Sequence, residues 1–161
     1  MGLDQYLHAK KYVSKTEWNN PAENETYDKI AENVIPTTLM ALMHETMDYQ
    51  SVEVSVKVAQ WRKSNQIHNW FVKNVQNGED DCKEYYVAHE RLSELLEKCI
   101  SVTKDNTLAS DLLPCTSGFF FGSEEYNEWY FRDIKITSEV LSRLLSDPEL
   151  STWTFTYSSS W

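Results

Sequence analysis

At 161 residues, 41% hydrophobic and 25% charged, the chain is long enough for one domain with its own core, and six Trp argue against a disordered tract. Lys plus Arg number 15 against 25 Asp plus Glu, a net charge of −10. A field of that sign repels a nucleic acid backbone, so nucleic acid is not an expected partner. The deficit is uneven: residues 1–75 carry eight basic and nine acidic side chains, residues 76–161 seven and sixteen.

Cys82, Cys99 and Cys115 are widely spaced and form no CxxC pair, which fits reduced thiols better than a disulfide framework or a structural zinc site. Asp4, His8, Lys10 and Lys11 interrupt the opening stretch, so no secretory signal is read there. No apolar run approaches the roughly 20 residues of a membrane span. The chain therefore reads as cytoplasmic, with no membrane partner and no cofactor motif.

In chain order, residues 3–13 read as a first strand. Residues 17–28 are polar, contain Pro21 and read as an exposed loop. Leu39, Met43 and Met47 recur at i, i+4 and i+8, which predicts a helix over 37–48 starting after Pro36. Val52, Val54, Val56 and Val58 alternate with polar residues, the clearest strand in the chain. A helix over 62–76 follows, with Ile67, Phe71 and Val75 on one face and Asn77-Gly78 as its stop. GEDD (78–81) is a loop, 83–87 a short strand, and 88–103 an amphipathic helix through Leu92, Leu95, Leu96 and Cys99. Residues 105–114 connect to SGFFFG (117–122), read as a short apolar strand. Ser123 is the expected N-cap of a long helix ending at Asp147-Pro148. Residues 152–157 alternate again through Trp153, Phe155 and Tyr157. Short, half-polar strands alternating with helices predict an α+β fold, a mostly antiparallel sheet with about four helices packed on it.

The stretch from Trp61 to Phe71 is the richest in chemistry. On a helix, Trp61, Asn65 and His68 share a face and can stack on and hydrogen-bond a planar ligand; Arg62 and Lys63 can reach a phosphate. Asp80 and Asp81 in the acidic loop can hold a ligand hydroxyl. Ser117 and Phe119, in the glycine-bounded Phe run, can form a pocket wall. The expected ligand-binding set is therefore Trp61, Arg62, Lys63, Asn65, His68, Asp80, Asp81, Ser117 and Phe119. Arg62 and His68 also match the R-x5-H spacing of helical ribonucleases, with His as acid or base and Arg on the phosphate. No nucleophile motif, phosphate loop or zinc spacing is present, and the set contains no expected catalytic or metal residue.

The opening Met1-Gly2-Leu3-Asp4, the block Trp61-Arg62-Lys63 through Ile67-His68-Asn69-Trp70-Phe71, Gly78-Glu79-Asp80-Asp81-Cys82 and the SGFFFG run together resemble a group of small phage and prophage proteins that begin MGLD and carry a WRK…IHxWF block. Ser64 stands where that block has Ala. The group brings no assigned catalytic residues. The resemblance implies an accessory protein with an anti-defence role, either sequestering a nucleotide-derived immune signal or blocking a host protein through an acidic surface.

Three functions are thus expected in turn. The first is a binding protein for a nucleotide-like small molecule. The second is an acidic inhibitor that docks a host protein through Glu124, Glu125 and Glu128. The third is a small hydrolase or ribonuclease using Arg62 and His68. The aromatic face of the last strand also allows a homo-oligomer.

Overall fold

The computed structural model describes residues 2–47, 49–118 and 120–161. Its elements are β1 (Asp4–Lys15), α1 (Pro21–Val34), α2 (Thr37–Thr46), β2 (Gln50–Arg62), α3 (Asn65–Asn74), β3 (Tyr85–Val87), α4 (His89–Lys104), α5 (Ala109–Leu112), α6 (Glu128–Ser146) and β4 (Thr154–Ser160). Short 3₁₀ turns precede α5 and β4. The four strands form one antiparallel sheet in the order β2-β1-β4-β3. Tyr85, Tyr86 and Val87 of β3 stand opposite Tyr157, Thr156 and Phe155 of β4. The class is α+β as the alternation predicts, with six helices among the described residues rather than about four.

The chain divides into two compact units, a larger one of Met1–Ala9 with Val56–Trp161 and a smaller one of Lys10–Ser55. In the larger unit, Leu7 and Ala9 of β1, Phe155 and Tyr157 of β4, and Ile67 and Phe71 of α3 meet Leu92, Leu95 and Cys99 of α4 and Ile134 and Leu141 of α6 in one buried cluster. Helices α4 and α6 pack against each other. Phe71 and Tyr157 stack with ring centroids 3.9 Å apart and planes 10° from parallel. Among the described residues of the smaller unit only Val13, Tyr27 and Ala31 are buried together, with Met40 and Met43 of α2 partly covered against them.

Several expectations are corrected. Residues 17–28 are not a loop throughout: α1 begins at Pro21 because Asn20-Pro21-Ala22-Glu23 forms a capping box. The Asn20 side chain accepts from Glu23 N (3.0 Å) and the Glu23 carboxylate accepts from Asn20 N (3.1 Å). The expected start of a helix at residue 62 is also displaced. Strand β2 runs on through Trp61 and Arg62, Lys63 takes a left-handed conformation (φ 60°), and α3 starts only at Asn65. Trp61 is therefore not on one helical face with Asn65 and His68. The helix ends at Asn74, before the positive-φ pair Asn77 and Gly78.

The described residues of 117–122 form no strand; they turn, with Gly122 at φ 92°. The last helix begins at Glu128, not after Ser123. Asn127 is the cap, its side chain accepting from Trp129 N and Tyr130 N, while Ser123 Oγ accepts from Glu125 N in a separate turn. The connector 105–114 contains α5. A helix forms over Thr37–Thr46, shorter than expected: Met47 is its extended C-cap, Asp48 lies outside the described residues, and none of the helix's residues is buried. No helix among the described residues is long and apolar enough to cross a membrane.

Candidate functional site

The end of β2 and the start of α6 enclose a cavity of about 500 Å³ in the larger unit. Trp61, Arg62 and Lys63 line it from the strand end, and Trp129, Arg132 and Asp133 from the helix. The strand end is fixed by backbone bonds: Lys63 N donates to Leu3 O (2.8 Å), and Leu3 N donates to Phe120 O (3.2 Å). Lys63 and Gly122 face each other, both left-handed. A Cβ on Gly122 would lie 3.0 Å from Lys63 Cβ and 3.2 Å from Lys63 O, so only glycine fits both the φ and the space. The buried Trp61 indole donates to Thr137 Oγ1 (2.8 Å), which donates to Asp133 O (2.7 Å), tying strand to helix.

The electrostatics of this cavity run against those of the chain. Arg62, Lys63 and Arg132 are exposed at its wall, opposed by Glu125 and Asp133. None of the three cations has a carboxylate within ion-pair distance among the described residues. The Arg132 guanidinium lies 5.4 Å from the Trp129 ring centroid, and that ring is 60% exposed. Burial pushes the Asp133 carboxyl above its ordinary range, against the hydrogen bond from Ser64 Oγ and the charge of Arg132, which lower it.

A second constellation lies inside the larger unit. The buried His68 ring bonds through Nδ1 to Tyr157 Oη (2.9 Å) and through Nε2 to Asp80 Oδ2 (2.8 Å). Tyr157 Oη donates to Gln5 Oε1 (3.1 Å), Gln5 Nε2 donates to Ser64 O (3.0 Å), and Ser64 Oγ donates to Asp133 Oδ2. At the outer end the Trp161 indole donates to Asp80 Oδ1 (3.0 Å).

Hydrogen-bond counting assigns the protons. A carbonyl only accepts, so Gln5 must turn its amide nitrogen to Ser64 and its oxygen to Tyr157. Tyr157 stays a phenol, held well above the ordinary tyrosine range by burial and by the negative charge of Asp80, and donates its proton to Gln5. The His68 Nδ1–H then donates to the phenol oxygen, and Nε2 faces Asp80 Oδ2.

The structure thus separates the nine expected site residues. Trp61, Arg62 and Lys63 meet at the cavity, while His68 and Asp80 belong to the buried network. Asn65 is buried and braces the 116–123 turn, accepting from Thr116 N (3.0 Å) and donating to Ser123 O (2.8 Å). Asp81 turns to Lys83 Nζ (2.6 Å) and Tyr85 Oη (3.1 Å), and the Lys83 bond holds its carboxyl below the usual range. Ser117 is exposed and lines neither constellation. Phe119 lies outside the described residues. Arg62 and His68 are not brought to a shared surface: Arg62 is exposed on the strand end, and both nitrogens of His68 are bonded in the interior.

No family model, curated protein or solved structure matches this chain.

Sequence reasoning missed Trp129, Arg132 and Asp133. Their spacing, i, i+3 and i+4, was a usable signal, since it puts an aromatic ring, a cation and a carboxylate on one helical face. Among the described residues no group of three His, Cys, Asp or Glu side chains converges to hold a metal ion.

Proposed function

We propose that the protein binds a small nucleotide-like ligand in the cavity between the end of β2 and the start of α6 and holds it without transforming it. The observation that carries this reading is the meeting of Arg62, Lys63 and Arg132, none in an ion pair, around the exposed Trp129 ring in a chain of net charge −10. Charge-assisted hydrogen bonds from Arg and Lys suit phosphate oxygens. Trp129 supplies a flat apolar face for a base, and Asp133 supplies an acceptor for a ribose hydroxyl or an exocyclic amine. A volume of about 500 Å³ accommodates a mononucleotide-sized molecule. Binding without turnover is supported by the placement of His68, whose two nitrogens are committed to Tyr157 and Asp80 away from the cavity. The resemblance to phage accessory proteins supports a host immune signal as the ligand and sequestration as its use.

The test is mass spectrometry of what the purified protein releases on denaturation after exposure to cell lysate. A stoichiometric nucleotide-like compound, lost in both Arg62→Ala and Trp129→Ala while the thermal midpoint is unchanged, is expected. Release of nothing, or equal retention by the two variants, refutes the reading.

A further inference from the structure

Strands β1 and β4 have a neighbour on each side, and the sheet ends at β3 and β2. The β3 edge is three residues long. The β2 edge is 13 residues long and contains neither Gly nor Pro. A long edge strand is a template for a further strand, because its outer N–H and C=O groups have no ladder partner. Alternation puts Val52, Val54, Val56 and Val58 on one face of β2 and Ser51, Glu53, Ser55, Lys57 and Ala59 on the other. Among the described residues the two central valines, Val54 and Val56, pack against neither buried cluster, and Val56 is 46% exposed. Glu53, Ser55 and Lys57 are exposed as well.

Read outward from Ser55, this strand matches itself. When two copies lie antiparallel with Ser55 opposite Ser55, Val54 stands opposite Val56, Glu53 opposite Lys57, Val52 opposite Val58 and Gln50 opposite Gln60, each twice. Valine meets valine on one face, and two carboxylate–ammonium pairs form on the other. Moving the axis by one residue destroys the charge match: about Val54, Lys57 faces Ser51, and about Val56 it faces Ser55. Within one chain both charges have loose company. Glu53 Oε1 lies 3.8 Å from Lys10 Nζ with 56% of the Glu53 side chain exposed. Lys57 Nζ lies 4.3 Å from the Tyr6 ring centroid and 3.5 Å from Gln60 Oε1. The strand also escapes the acidity of the chain, since its charged residues are Glu53, Lys57 and Arg62. A lysine on an edge strand discourages pairing with unrelated strands. Here a second copy brings Glu53 to meet it. We propose that β2 is the interface of a homodimer, in which two copies pair antiparallel about Ser55 and join their sheets into one. The contact is isologous and closes at two copies, because it occupies the β2 edge of each. The proposal does not rest on the ligand reading: no residue of 50–59 lines the Arg62 cavity.

The experiment is sedimentation of the full chain over a concentration series, for wild type, Glu53→Lys, Lys57→Glu and the two substitutions combined. Wild type is expected to form a reversible dimer. Each single substitution sets like charges opposite each other at two places and should weaken association about tenfold or more. The combination restores opposite charges at both places and should return near wild-type affinity. Both positions are exposed, so the far-ultraviolet circular dichroism should stay that of wild type. Ser55→Cys tests the register, in a Cys82→Ser parent that lacks the exposed native thiol. Facing Cα atoms of an antiparallel pair lie about 4.5–5.5 Å apart, within disulfide reach, so diamide should link two copies through position 55 and leave the parent unlinked. A wild type still monomeric at about 1 mM overturns the proposal. So does a dimer indifferent to both single substitutions, a combination no tighter than either, or a Ser55→Cys chain that diamide does not link. Should a charge substitution alter the dichroism, the Ser55→Cys link decides alone.

Discussion

The larger and the smaller unit use the same helical periodicity to different ends. In the larger, the apolar stripes of α4 and α6 are covered: Leu92, Leu95, Cys99, Val102, Ile134 and Leu141 have no exposed surface. In the smaller, α2 carries an equally regular stripe, yet Leu39 is 50% exposed and no residue of the helix is buried. Periodicity sets which residues share a face; whether that face is covered depends on the number of elements that converge on it. Strands, α3, α4 and α6 converge in one unit, whereas two helices and the outer parts of β1 and β2 surround Val13, Tyr27 and Ala31 in the other.

Stability measurements probe this contrast directly. Leu141→Ala, in the covered stripe of α6, should cost about 2–5 kcal/mol by chemical denaturation, whereas Leu39→Ala should stay within about 0.5 kcal/mol of wild type. Equal losses would mean that the α2 stripe is covered in solution. Asp80→Ala leaves His68 Nε2 buried without a partner and should cost about 1–3 kcal/mol. Asp80→Asn should recover most of that loss, because its amide N–H can serve His68 and its carbonyl can serve the Trp161 indole; failure to recover it would remove the proton assignment within the network. In the smaller unit, Asn20→Ala breaks the capping box and should cost about 1 kcal/mol. Amide exchange should show that effect in α1 and leave α4 and α6 unchanged. Loss of protection across both units would show that they unfold together.

Much of the larger unit was legible in sequence. The stripe of 88–103, the body and end of the long helix before Asp147-Pro148 and the alternation of 152–157 each carry one periodicity over enough residues to fix their element, although the long helix starts at Glu128 rather than after Ser123. Short-range chemistry was harder to weigh. A polar run with Pro21 suggests a loop until Asn20 and Glu23 are paired as a cap. Trp61 and Arg62 could extend the strand or start the helix, and the left-handed Lys63, a conformation that side chain rarely adopts, decides for the strand. Of the site, the cations at 62 and 63 were legible and the partners at 129, 132 and 133 were not, because a Trp on an amphipathic helix reads as part of its apolar stripe. The buried network was beyond reach: Gln5 and Tyr157 are 152 positions apart, and nothing local marks either as the other's partner.

That separation bears on the order of events during synthesis. Strand β1 lies inside the sheet, between β2 and β4, yet β4 is the last strand made. At roughly 5–20 residues per second, the edge of β1 that receives β4 waits on the order of 10 seconds or more after β1 itself leaves the ribosome. During that interval β1 and β2 can pair, but the other side of β1 presents open backbone groups, a template for pairing with another chain. A high share of distant contacts also slows the final closure. The feature that buries His68 and Tyr157 in the finished molecule therefore makes the half-made chain depend on being kept apart from its neighbours.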